Sequence, residues 1–288
     1  MQRRLIPLLC GLAVSSSAFA QSFSLPIWKE KAEALGYDLP KPIGFNLSYM
    51  SLEQGIQVDS IGFSGLHLPN FIRGIDMQAE KGKQTSEVVT LRADMWLFPF
   101  LNVYALAGKM TGKSETSVNY AVSVKPLLPG RPDHKIKGRI DNFSLDLDGY
   151  LYGGGIVLAG GYENWFGLVD ASYTQTQLTV IDGNIDAWVI SPRVGYDFHK
   201  LGVPLRIWGG AMYQDVEQSL SGQLSELGLP SALNPIVKDG EFHIEQRLTT
   251  EWNPIMGAQY QINPNLNLLA EFGFGDRQSA FVSIDFRY

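Results

Sequence analysis

Ala280-Phe281-Val282-Ser283-Ile284-Asp285-Phe286-Arg287-Tyr288, the last stretch of the chain, decides how the rest is read. Ala280, Val282, Ile284, Phe286 and Tyr288 point one way, while Ser279, Ser283, Asp285 and Arg287 point the other; Phe281 is the one misfit. Successive side chains of a strand alternate between faces, so this is a strand with one oily and one ionic side. Upstream the split recurs. Leu266, Leu268, Ala270, Phe272 and Phe274 oppose Asn267, Glu271 and Gly273, with Leu269 the exception. Trp252, Met256, Ala258, Tyr260 and Ile262 oppose Glu251, Asn253, Gln259 and Gln261. Trp188, Ile190, Val194, Tyr196 and Phe198 oppose Ser191, Arg193, Gly195 and Asp197, and Val89, Leu91, Ala93, Met95 and Leu97 oppose Thr90, Arg92, Asp94 and Trp96. Residues 44–54, 102–111, 150–162, 166–179 and 205–217 carry the same period with more Gly and Ala, which makes ten segments.

The links between segments alternate in length. Short ones fall at 98–101, 163–165, 199–204 and 263–265; long ones fall at 55–87, 112–149 and 218–243; the remaining outer links, 181–186 and 275–278, are brief. In barrels that span an outer membrane the periplasmic turns are short and the external loops long, and ten strands close here without a parity error. Alternation also continues in 117–124 and 135–147, as strand extensions above the membrane or one extra hairpin, so the range is eight to twelve with ten preferred.

A secreted sandwich or soluble ligand-binding barrel also alternates with a period of two, but it turns the apolar face inward. Here Tyr288, Phe286, Phe198, Tyr196, Tyr260, Tyr162, Trp165, Phe98 and Phe100 gather beside the short turns, as an interfacial girdle does. That placement argues for lipid on the oily side. A closed barrel also removes the strand edges that lipid cannot satisfy.

Other features bound the answer. The chain has 288 residues, 45% hydrophobic and 18% charged, with 30 Gly. Lys plus Arg total 23 against 29 Asp plus Glu, and a net charge of -6 leaves no basic surface for nucleic acid. Arg3 and Arg4, the apolar stretch from Leu5 to Val14 and Ala18-Phe19-Ala20 read as a cleaved secretory leader over residues 1–20. Cys10, the only cysteine, would leave with it, and losing two Arg moves the charge from -6 to -8. Disulfides, thiolate metal sites and cysteine nucleophiles are then excluded together. After residue 20 no run of 18 apolar residues could cross a membrane as a helix. The segment from Ile27 to Leu35 reads as a short helix, ended by Gly36 and Pro40-Lys41-Pro42, within a periplasmic segment 21–43 that precedes a barrel over 44–288.

With its leader, its strand pattern and its aromatic carboxy terminus, the chain resembles the bacterial outer-membrane β-barrel superfamily. The resemblance implies an all-β antiparallel transmembrane barrel in a Gram-negative outer membrane. It also implies that the closing strand, through Val282, Ile284, Phe286 and Tyr288, is read by the barrel-assembly machinery. Tyr288 stands where the family most often has Phe.

In this register the lumen receives Arg92, Lys109, Arg193, Arg206 and Arg287, together with Asp94, Asp170, Asp197, Glu251, Glu271 and Asp285, five positives against six negatives. Near balance in a narrow barrel points to ion pairs that fill the interior, whereas a wide selective pore segregates its charge. Inward glycines are expected to make room for Trp96 and Trp208, or for the Ile27–Leu35 helix as a plug. The leading expectation is a non-enzymatic barrel with a filled lumen and long external loops, in an envelope-structural or adhesin-like role. A narrow channel for small polar solutes is the alternative, and a hydrolase at the outer rim is third.

The His-x-Ser pair of outer-membrane lipid hydrolases is missing: His67, His134, His199 and His243 are followed two residues later by Pro, Ile, Leu and Glu. His243, near Glu241 and Glu245, reads as a solvated rim residue, and Asp141, Asp146 and Asp148 as an acidic loop. No cofactor or metal is expected. The expected partners are membrane lipid and lipopolysaccharide, the assembly machinery, and an extracellular ligand or host surface met by loops such as Lys125–Lys135.

Overall fold

The computed structural model describes residues 25–126, 132–224 and 240–288. The leader and Cys10 lie outside these residues, as do the tip 127–131 and the link 225–239. Among the described residues thirteen strands follow one short α-helix, α1 (Lys29–Ala34): β1 (Ile43–Ser64), β2 (Ile72–Ala79), β3 (Gly82–Phe98), β4 (Leu101–Val124), β5 (His134–Asp146), β6 (Gly149–Tyr162), β7 (Trp165–Leu178), β8 (Asp182–Asp197), β9 (Leu205–Gln223), β10 (Glu241–Leu248), β11 (Trp252–Asn263), β12 (Leu266–Gly273) and β13 (Gln278–Arg287).

Ten of these close a ring. Antiparallel pairing runs β1–β3–β4–β6–β7–β8–β9–β11–β12–β13, and β13 returns to β1 through a register from Gly44↔Arg287 to Glu53↔Gln278. No edge is left in the ring, which satisfies every ladder without water. The other three strands continue ring strands outward. β2 runs on from β3 past Glu80-Lys81 and pairs with β4; β5 precedes β6 across Leu147-Asp148 and also pairs with β4; β10 precedes β11 across Thr249-Thr250-Glu251. The breaks stay tied to the sheet, with Glu80 N–H donating to the Ser117 carbonyl at 2.9 Å and Leu147 N–H to that of Gly112 at 2.8 Å.

The faces identify the solvent on each side. Near the short turns Val194, Leu91, Ile284 and Leu268 are exposed on the outer wall, while Ser191, Asp94, Ser283 and Glu271 are buried inside. Higher on the same strands the arrangement inverts. In β10, Glu241, His243, Glu245 and Arg247 face out while Phe242, Ile244 and Leu248 are buried. β9 changes over within one strand, from Ile207 outside and Arg206 inside to Asp215 and Glu217 outside and Val216 and Leu220 inside. Only a change of the outer medium from lipid to water accounts for this inversion.

Aromatic pairs mark the two borders of the apolar band. Trp165–Tyr196 and Tyr196–Phe198 lie at the short-turn end, with centroids 5.3 and 4.9 Å apart; Tyr173–Trp188 and Tyr213–Trp252 lie at the other, at 5.0 and 5.3 Å. Tyr196 and Trp188 are eight residues apart, roughly 26 Å along the strand and about 20 Å along an axis tilted by ~40°. Beyond the outer border the wall splits into two flaps, β2–β4–β5 and β1–β10–β9, which press apolar inner faces together as a small sandwich. Of the long links expected as loops, 55–87 and 112–149 are therefore largely strand among the described residues.

Helix α1 is one turn and a half at the short-turn end, shorter than the Ile27–Leu35 reading, and its Lys31 and Ala32 line the lower end of the barrel interior. Trp28 packs on Phe98 and Phe100 at 5.1 and 6.2 Å, and Ile27 N–H donates to the Leu97 carbonyl at 2.8 Å, so the segment is fastened to the β3–β4 turn.

Candidate functional site

The interior has two tiers. The lower one is a cavity of about 1110 Å³ that reaches from α1 and the short turns up to Leu106 and Leu168. One polar chain crosses its wall from β13 to β7. The Arg287 guanidinium donates to Asp94 at 2.7 Å and reaches Asp285 at 3.4 Å; Asn102 donates to Asp94 at 2.6 Å and accepts from Arg92 at 3.2 Å. Arg92 lies 3.6 Å from Asp170 and 3.6 Å over the Tyr104 ring, whose hydroxyl donates to Asp170 at 2.6 Å. Arg287 also donates to the Lys41 carbonyl at 3.0 Å, which ties the amino-terminal segment to the barrel seam. Gly44 makes this possible, because a Cβ there would stand 2.6 Å from Asp94 Oδ2 and 2.7 Å from Arg287 Nη1.

Across the cavity Arg193 donates twice to Glu271, at 2.7 and 2.9 Å, and the Trp208 indole adds a third donor at 2.7 Å. Gly257 leaves room for that indole; an added Cβ would approach it to 2.4 Å. Near the mouth Arg206 donates to Asp197 at 2.7 Å, and the His199 ring bonds Asp197 on one nitrogen and Gln261 on the other. Five carboxylates are engaged by four arginines. Removing one partner of such a pair leaves the other charge poorly solvated, which is strongly destabilising where burial is deep.

The upper tier is packed. Met110, Leu145, Leu147, Leu151, Ile185, Val216, Leu220, Leu224, Phe242, Ile244 and Leu248 form one buried cluster. A glutamine chain is embedded in it, Gln246 donating to Gln218 at 2.7 Å and Gln218 to Gln84 at 2.8 Å. A void between the two flaps in this tier measures about 40 Å³. A hydrated solute thus meets a wide vestibule below and a core above.

Of the residues assigned to the lumen from sequence, Arg92, Asp94, Asp170, Arg193, Asp197, Arg206, Glu271, Asp285 and Arg287 lie inside the barrel and make the contacts above. Two do not. Lys109 is exposed on the outer wall between Val89 and Tyr150, at the outer border of the apolar band, where its stem covers lipid-facing surface and its amine reaches water. Glu251 is exposed in the break between β10 and β11, where alternation stops. Val282, Ile284, Phe286 and Tyr288 stand exposed on the outer face.

The sequence reading missed Asn102, Tyr104, His199, Gln261 and the glutamine chain as partners. Their inward parity was the available signal, but parity does not say which inward residues meet. His243 is exposed on the outer face of β10, 3.7 Å from Glu245. Among the described residues no three His, Cys, Asp or Glu side chains gather to hold a metal ion, and no helix is long and apolar enough to cross a membrane.

A closed antiparallel ring with an apolar band outside, aromatic borders and a charged interior defines a transmembrane β-barrel, and this chain has that fold. No family model and no curated protein matches the sequence. Solved structures similar to it include the outer membrane protein OprG from Pseudomonas aeruginosa, at 14% identity and a TM-score of 0.39, covering 87% of this chain and 100% of that one. An outer membrane channel from Pseudomonas putida F1 follows at 8% identity and a TM-score of 0.39, covering 86% and 96%. The toluene transporter TbuX of Ralstonia pickettii is at 12% and 0.28, covering 87% and 90%.

Proposed function

We propose that the protein is a non-conducting, non-enzymatic barrel whose working surface is the pair of β flaps above the membrane, in a surface-interaction or envelope-structural role. The observation that carries this reading is the buried cluster with its glutamine chain, which fills the outer half of the interior while a cavity of about 1110 Å³ stays open at the short-turn end. Short turns face the periplasm in such barrels, so the vestibule is periplasmic and the flaps external. The expected neighbours are lipid and lipopolysaccharide around the outer rim, near Lys109, an extracellular ligand or host surface on the flaps, and the assembly machinery reading Val282, Ile284, Phe286 and Tyr288.

The channel reading rests on the same vestibule and needs the outer core to open. Planar-bilayer recording of the folded full chain separates the two: the sealed barrel gives no discrete steps at any voltage that leaves the membrane intact. Reproducible steps would instead assign it to the channels.

A further inference from the structure

Arg277 is the one interior guanidinium that none of the described carboxylates pairs with. It stands in the outer turn 274–277, just before β13, and is 2% exposed. Its Nη2 donates to the carbonyls of Thr250 and Glu251, both at 3.0 Å, in the break where β10 leaves the ring for β1. Its Nε and Nη1 are buried without a partner among the described residues.

The acids around it are turned elsewhere. Glu53 pairs outside with Lys83 at 2.8 Å, Asp276 accepts from Thr250 at 3.0 Å, and the Glu251 side chain is exposed. Glu271, the nearest vestibule carboxylate, sits opposite Phe281, four residues further along β13 and roughly 13 Å away along the strand. Burial, with no neighbouring charge to offset it, pushes the Arg277 pKa down to about 10, still charged at neutral pH.

Across the seam a second orphan adjoins it. The β1–β13 ladder ends at Glu53↔Gln278, so Gln54 and Arg277 are the next positions on the two strands, both buried, and Gln54 Oε1 has no partner among the described residues either. A half-turn of the Gln54 amide would present its NH₂ to the same space. A water there would satisfy the N–H groups but leave a buried positive charge, whereas an anion answers both.

We propose that Arg277 and Gln54 form a binding site for one small monovalent anion, a halide or the carboxylate of a formate-sized molecule, which locks the β12–β13 turn against the β10–β11 break. The occupant neutralises the guanidinium and fixes the point where the ring strands part into the flaps.

The test is thermal unfolding of the folded full chain in zwitterionic detergent. Chloride, bromide or formate is titrated at constant ionic strength against gluconate, which is too bulky to enter. The melting temperature should rise saturably, by roughly 5 °C, in the small anions. Arg277→Gln should lose the response and Arg277→Lys keep part of it. Chloride saturating with formate unable to add to it identifies one shared site, and a response to formate alone assigns it to carboxylates. Equal melting in chloride and gluconate, or an Arg277→Gln curve that follows the wild type, overturns the proposal. If the Gln variant does not fold, bromide-soaked crystals of the wild type decide. An anomalous peak at hydrogen-bond distance from Nε or Nη1 supports the site, and a plain water there refutes it.

Discussion

Glu271 shows how much a single interior carboxylate depends on its donors. It is 6% exposed and takes three hydrogen bonds from Arg193 and Trp208. Arg193→Ala leaves that charge with the indole alone, and breaking a buried pair costs about 3 kcal/mol or more. The expected outcome is a lowered temperature for loss of the fast-migrating folded form on unboiled gels, with Arg193→Lys losing less because it keeps the charge but not the two-pronged contact. An unchanged temperature in the Ala variant would mean that water in the vestibule does the work of Arg193. At this scale the sequence was legible wherever the lipid face is more apolar than the inner one, as at Val194 against Arg193. It misled at Lys109, because β4 turns small Ala105 and Ala107 outward and fills the inside with Tyr104, Leu106 and Met110, which reverses the usual contrast.

Strands carry a lesson that single residues do not. The alternation of Glu241–Leu248 is as regular as that of the closing strand, yet its apolar residues face inward, and it begins inside the link 218–243 that the length pattern assigns to a loop. Period gives strand; the sign of the faces gives the solvent; the two must be read separately. The break at Thr249–Glu251 hides the continuity of β10 with β11, as Glu80-Lys81 and Leu147-Asp148 do for the other pairs. Phe242 is 2% exposed at the centre of the outer sandwich. Phe242→Ala should destabilise the flaps by about 3 to 5 kcal/mol, while the ring below is fastened independently through β1–β13. Limited proteolysis of the variant in intact membranes should cut the flaps and spare the spanning strands. Resistance equal to that of the wild type would mean that the flaps do not depend on their shared core.

For the whole molecule, ring closure with ten strands was legible because parity, link length and face sign are all properties of the sequence taken one strand at a time. The level at which the lumen is filled was not. It depends on which inward side chains meet across the axis, such as Gln84 with Gln218, 134 residues apart. The central claim is an interior open at the short-turn end and sealed at the other. Gln259 lines the vestibule, and Cys10 is the only native cysteine. A Gln259→Cys chain in which Cys10 is changed to Ser should, once folded in sealed vesicles, react with a membrane-impermeant thiol reagent added on the short-turn side and stay unlabelled when the reagent is added on the flap side. Labelling at comparable rates from the flap side would contradict the account, because it requires a water path through the outer core.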